Sequence, residues 1–184
     1  MALDAKTERR VSKFISLLLR HRPGELGLEM DAAGWVPADA LLAGLRTQYD
    51  IAMADIEAIV AADEKGRYTL ADGMIRANQG HSVPVDLGLE PRVPEGGLYH
   101  GTVARFLDAI MADGLRPQGR QHVHLSPDIP TARQVGARRG RPVILGIDAP
   151  ALSRAGHLFY LSANGVWLTD HVPPHALSLI EESP

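Results

Sequence analysis

The 184-residue sequence predicts an α+β chain in two parts. Three observations carry this. Three helix-like segments follow one another before residue 62, and a hairpin-like pair of strands comes next. A Pro- and Gly-rich stretch, residues 82–97, then interrupts the pattern. Beyond it short strand-like runs dominate, broken by two helical stretches, which points to a mixed or antiparallel sheet. The expected division is a first part over 1–92 and a second over 93–184, with the linker near 82–97.

Each element has a local reason. In residues 4–20, Val11, Phe14, Ile15, Leu18 and Leu19 recur at helical spacing, with Arg9, Arg10 and Lys13 on other faces. Pro23 and Gly24 stop that helix and leave His21-Arg22 at its C-terminal end. Gly34-Trp35-Val36 is short and β-like, and Pro37 opens a second helix through Ala40, Leu41, Leu42 and Leu45. A third helix runs from about Ala54 to Ala62, with Ile56, Ile59 and Val60 as its apolar side. Arg67–Leu70 and Met74–Ala77 flank Ala71-Asp72-Gly73, and Asp-Gly is a preferred hairpin turn pair. Three helices and a two-stranded hairpin make a winged-helix pattern, a shape whose relatives often bind nucleic acid. In the second part the strand-like runs are 98–100, 122–125, 142–147, 158–160 and 166–168. Helices are expected near Ala104–Asp113 and Ile129–Arg139.

Composition narrows the chemistry. No apolar run approaches the roughly 20 residues that span a bilayer. The segment from Met1 to Arg10 is polar and carries acids, unlike a signal or transit peptide, so a cytoplasmic monomer with no membrane partner is expected. The absence of cysteine excludes disulfides, thiolate nucleophiles and Cys-ligated zinc. Net charge is −3 over residues 1–92 and zero beyond, so neither part is a basic nucleic-acid module in bulk, and a polyanion must be held locally. Arginine outnumbers lysine sixteen to three, which suits bidentate phosphate recognition at particular positions.

Four clusters could do that work. Arg20-His21-Arg22 gathers three potential cations at a helix end, as capping residues or as an anion cradle. Lys65-Gly66-Arg67 enters the hairpin, and Arg138-Arg139-Gly140-Arg141 precedes an apolar strand. Three arginine sites in a chain of negative net charge favour convergence on one phosphate over three separate accidents. The fourth cluster is Tyr99-His100-Gly101-Thr102 with His124-Leu125-Ser126, at two strand ends. His and Ser bond ribose hydroxyls, and Gly lets a ligand approach the backbone. His122 and His124 share a strand face, yet no carboxylate lies at a helpful spacing, so no metal is expected. Neither GxGxxG nor a P-loop is present.

These residues resemble the tRNA 2′-phosphotransferase family. The matching segments are SKFISLLLRHRPGELGLEMDAAGWV, KGRY with IRANQGHSV, LYHGT, GLRPQGRQHVHLS, VGARRGRPVIL and NGVWLTDHVPP, in the family's order from Ser12 to Pro174. The resemblance implies an N-terminal winged-helix RNA lobe and a C-terminal NAD lobe of the ADP-ribosyltransferase fold, which needs no Rossmann glycines. That fold carries a His–Tyr/His–Glu signature. His100 and His124 match its first two positions, and Val166 stands at the third, so the usual Glu is absent, as the family's pattern expects. The family's Arg-His-Arg-Arg set maps onto Arg20, His21, Arg67 and Arg138. Arg139 stands where relatives often have His, and the family's G-x-R favours Arg138 as the phosphate ligand.

The implied activity transfers an internal RNA 2′-phosphate to NAD, through a 2′-phospho-ADP-ribosylated RNA. The products are 2′-OH RNA, ADP-ribose 1″,2″-cyclic phosphate and nicotinamide. Arg20, Arg67 and Arg138 would orient the phosphate, His21 would move a proton in the second step, and His100, Gly101, Thr102, His124, Leu125 and Ser126 would hold NAD. A tRNA splicing junction is the family's substrate. The competing readings are a winged-helix regulator with an NAD-sensing domain, and an ADP-ribosyltransferase acting on terminal phosphates of nucleic acids.

Overall fold

A computed structural model describes residues 3–180. The chain is mixed α+β, with six α-helices and three small antiparallel sheets among the described residues. It divides into two compact units, Met1–Gly88 and Leu89–Pro184.

In the first unit α1 spans Ala5–Arg20. The Asp4 carboxylate caps it, accepting from the backbone N–H groups of Lys6 at 2.9 Å and Thr7 at 3.0 Å. Val11, Ile15, Leu18 and Leu19 bury one stripe of this helix completely. After a 3-10 turn over Pro23–Leu26 come β1 (Val36–Pro37), α2 (Ala38–Leu45) and α3 (Met53–Ala61). The hairpin follows as β2 (Tyr68–Ala71) and β3 (Met74–Ala77), with Ala71 opposite Met74. Asp72 and Gly73 turn it with φ of 51° and 71°, the paired positive angles that Asp-Gly tolerates. The sheet order is β1-β3-β2. Leu41, Leu45, Ile56 and Ile75 meet the α1 stripe in one core.

The second unit holds β4 (Leu98–Val103), α4 (Ala104–Asp113), β5 (Val123–Leu125) and α5 (Ile129–Gly136). Then come β6 (Pro142–Ile147), α6 (Ala149–Arg154), β7 (Tyr160–Leu161), β8 (Trp167–Thr169) and β9 (Leu177–Ile180). Two antiparallel sheets form, in the orders β4-β6-β9 and β5-β8-β7. They are stitched at one place. The Tyr99 N–H donates to the Ser126 carbonyl at 2.9 Å, and the Ser126 N–H donates back at 2.7 Å. That link brings the strand carrying His100 against the chain segment carrying His124 to Ser126. Leu98, Val123, Leu125, Ile147, Leu152 and Phe159 form this unit's core. No helix among the described residues is long and apolar enough to cross a membrane.

Candidate active site

The first unit gathers its cations at the end of α1. The helix closes at the Leu17 carbonyl, which accepts from the N–H groups of both His21 and Arg22. Arg20 and His21 therefore sit on the last turn and just past it, where Pro23 blocks continuation. The loop after β3 returns alongside. The Ser82 N–H donates to the Arg20 carbonyl at 2.9 Å, and the Ser82 hydroxyl lies 2.9 Å from His21 Nδ1. His81 is 2% exposed, and its Nε2 has no hydrogen-bond partner among the described residues. Burial, then the charges of Arg20, His21 and Arg76, push its pKa down to about 4, so it is neutral at pH 7. Arg76 stacks over the Trp35 ring, with its guanidinium carbon 4.6 Å from the ring centroid.

Arg67 is held differently. Its Nε and Nη2 each lie 2.8 Å from Asp63 Oδ1, and Asp63 is almost wholly buried. Burial raises the Asp63 pKa, but the Arg67 hydrogen bonds and charge outweigh that, so the carboxyl sits below the usual range. One edge of the Arg67 fork is thus committed to Asp63, and the Nη1 side is the part of the guanidinium outside that pair.

In the second unit His100 and His124 lie close together. His100 Nδ1 lies 3.1 Å from the His124 carbonyl, which can only accept, so His100 donates from Nδ1. Burial lowers the His100 pKa, the hydrogen bond to His124 partly opposes this, and Arg139 lowers it further. A neutral ring with its proton on Nδ1 presents Nε2 as an acceptor, the role a ribose hydroxyl needs. Arg120 Nη1 approaches His124 Nδ1 at 3.4 Å, and because a guanidinium only donates, the neutral His124 carries its proton on Nε2. Desolvation, then Arg139 and Arg138, lower the Arg120 pKa, which places all three guanidinium groups in one field.

Glycines set where Arg138 and Arg139 stand. A Cβ on Gly101 would collide with the Ala132 carbonyl and lie 2.9 Å from the Gly136 amide nitrogen. A Cβ on Gly136 would lie 3.0 Å from the Thr102 carbonyl. Helix α5 therefore packs directly on the backbone of β4, and the 3-10 turn Ala137–Arg139 begins at that contact. On the side where a Cβ would stand, α5 covers the Gly101 backbone. Leu125 is 1% exposed and lies in the core, so only its backbone can face a ligand. Thr102 and Ser126 are buried. Val166 occupies the turn before β8, where its N–H donates to the Ser162 hydroxyl. His122 points to Asp170 at 3.8 Å, and no group of three potential metal-ligating side chains occurs among the described residues.

Asp63, Arg120, His81 and Ser82 had no assigned role in the sequence reading. Asp63 had a signal, since it stands four residues before Arg67. A concavity of the first unit, about 720 Å³, is lined by Arg46, Tyr49 and Asp55 among others and contains none of the predicted site residues.

Each unit thus carries guanidinium groups near histidines: Arg20 and Arg76 around His81, and Arg120 and Arg139 around His100 and His124. Residues 6–171 match the family model described as RNA 2′-phosphotransferase, Tpt1/KptA family. The chain is 52% identical to a probable RNA 2′-phosphotransferase of Streptomyces griseus, with 96% of this chain and 99% of the relative covered. It is 53% identical to one of Hahella chejuensis, with 99% of each covered, and 48% identical to one of Nostoc punctiforme, with 93% and 96% covered. The chain belongs to the RNA 2′-phosphotransferase family, a family of transferases.

Proposed function

We propose that the protein transfers an internal 2′-phosphate of RNA to NAD⁺, yielding 2′-OH RNA, ADP-ribose 1″,2″-cyclic phosphate and nicotinamide. NAD⁺ supplies an electrophilic ribose carbon, C1″, with nicotinamide as its leaving group, and a neighbouring hydroxyl, O2″, for the second displacement. The observation that carries the reading is the His100–His124 pair beside Arg120, Arg138 and Arg139. It combines a neutral acceptor for a ribose hydroxyl, His100 Nε2, with guanidinium donors for phosphates, which suits a dinucleotide.

The first unit, read as a winged-helix RNA lobe, supplies Arg20, His21 and Arg67. The second, read as an ADP-ribosyltransferase-like lobe, supplies Arg138 and the groups for NAD⁺. On this reading Arg20 and Arg67 of the first unit and Arg138 of the second are the phosphate's charge-screening ligands. His100, Thr102 and Ser126 fix the ribose, with the backbone at Gly101 and Leu125 alongside. His124 completes that wall, and Arg139, whose charge reaches both His100 and Arg120, stands beside it. The position taken by Val166 carries no carboxylate, which suits a phosphate nucleophile that a carboxylate would repel. His21 moves the proton of the second displacement.

A 2′-phosphorylated oligoribonucleotide incubated with NAD⁺ tests this directly. Wild type should release 2′-OH RNA and the cyclic phosphate, with undiminished turnover in excess EDTA. His21→Ala and Arg138→Ala should accumulate the branched RNA formed in the first displacement. Loss of both displacements in parallel would remove the assigned second-step roles, and a metal requirement would remove the arginine-based scheme.

A further inference from the structure

The segment Gly80-His81-Ser82 is used by nothing above, yet it lies against the Arg20-His21 pair. Gly80 has φ of +91°, which side-chain-bearing residues rarely adopt, and a Cβ there would sit 3.5 Å from the Arg20 Nε. That turn puts the Ser82 backbone N–H on the Arg20 carbonyl, one of the helix-end carbonyls that lack an intrahelical donor. The same residue then places its hydroxyl 2.9 Å from His21 Nδ1. Ser82 is thus tied to the helix end by its main chain and to the His21 ring by its side chain, across 61 residues of sequence. His81 fills the space beneath as a neutral ring, so it adds no positive charge next to Arg20, His21 and Arg76.

We propose that Ser82 is the positioning residue for His21: its hydroxyl accepts from Nδ1–H, which fixes the ring and leaves the Nε2 lone pair as the proton acceptor. This rests on the phosphotransfer reading. In the second displacement the O2″–H proton passes to His21 Nε2 as the O2″–P bond forms. The P–O2′ bond breaks, and the same proton returns from the imidazolium to the departing O2′. The bond formed and the bond broken balance, and His21 ends neutral. Nδ1 keeps its proton throughout, which is what an acceptor at Ser82 stabilises. No other reactant is needed.

Single-turnover assays that resolve starting RNA, branched RNA and 2′-OH RNA test this on the full chain. Ser82→Ala should slow the second displacement about five- to ten-fold, the size of one hydrogen bond's net effect, and leave the first within two-fold. Ser82→Thr, which keeps the hydroxyl, should restore the second step. Ser82→Ala combined with His21→Ala should be no slower than His21→Ala alone, because the two act as one unit. ¹⁵N NMR of the histidine rings should show the His21 Nδ1 signal, assigned by its loss in His21→Ala, shifting in Ser82→Ala. A Ser82→Ala enzyme with a wild-type second step overturns the proposal. So does an equal slowing in the His21→Ala background, or an unmoved His21 ring signal. If wild type itself forms neither branched RNA nor 2′-OH RNA, the phosphotransfer reading fails instead. The ring spectra then still decide whether Ser82 sets the His21 tautomer.

Discussion

Asp63 both restrains Arg67 and offsets its charge. Two donors of the guanidinium point at one buried carboxylate oxygen, so the fork has a fixed orientation, ready for the RNA contact proposed for it. Preorganisation of this kind lowers the cost of binding, at the expense of part of the net positive charge. In Asp63→Asn the charge-assisted bonds are lost and the guanidinium is free to swing. The RNA kcat/KM should fall about ten-fold, consistent with bonds to a charged group of roughly 1.5 kcal/mol, while the KM for NAD⁺ stays constant. An unchanged RNA kcat/KM in steady-state assays would show that the restraint has no role. At this scale the sequence shows much of the site. Arg20-His21 stands out as cations at a helix end, and Asp63 is readable four residues before Arg67. Ser82 and His81 are not, because their contacts to Arg20 and His21 join residues some sixty positions apart. Periodicity contains no information about such pairs.

Elements with strong local patterns appear where the sequence puts them. The α1 stripe of Val11, Ile15, Leu18 and Leu19 and the Asp72-Gly73 hairpin are set by neighbours in sequence. Helix α6 has only six residues, too short for a periodic signal, and is held by the Asp148 carboxylate accepting from the Ala151 N–H. Strand β9 exists through pairing with β6, a partner over thirty residues away, and exposes Ser178 and Leu179 alike, so no alternation announces it. Strand β4 runs to Val103, past the 98–100 read from sequence, because Gly101 lies inside the strand where α5 rests on it. Gly101→Ala would force α5 away from β4 and carry the Arg138-Arg139 turn with it. Overpacking of this type costs about 1–3 kcal/mol. A lowered Tm together with loss of turnover is expected, whereas Gly136→Ala, with its nearest contact at 3.0 Å, should lose less of both. Thermal melts and turnover assays on the two variants check the ranking. Equal behaviour of Gly101→Ala and wild type would contradict the close packing.

For the whole molecule, depressed pKa values, those of His81, His100 and Asp63 among them, shape the acid limb of stability. His81 falls from 6.5 to about 4 on folding, so between those values the unfolded chain binds the proton and the folded one does not. Stability therefore rises with pH across that window. The contribution is complete above 6.5 and is lost as pH falls toward 4, by at most about 3 kcal/mol. Asp63 acts lower down. Its folded pKa lies below 3.8, so the stability it lends is present above that value and disappears as pH falls through the folded one. Protonating His81 would place a cation next to Arg20, His21 and Arg76, so the same window should disorder the end of α1. Urea unfolding of wild type at intervals from pH 7 to 4 should show stability declining from about pH 6.5 downward. His81→Gln, which has no proton to gain, should reduce the slope of that part of the curve whatever its stability at neutral pH, and the slope that remains belongs to groups such as His100. Asp63→Asn should keep the slope above pH 4 and lose only the part below it. Parallel curves for wild type and His81→Gln between pH 6.5 and 4 would mean that His81 is not the group being titrated.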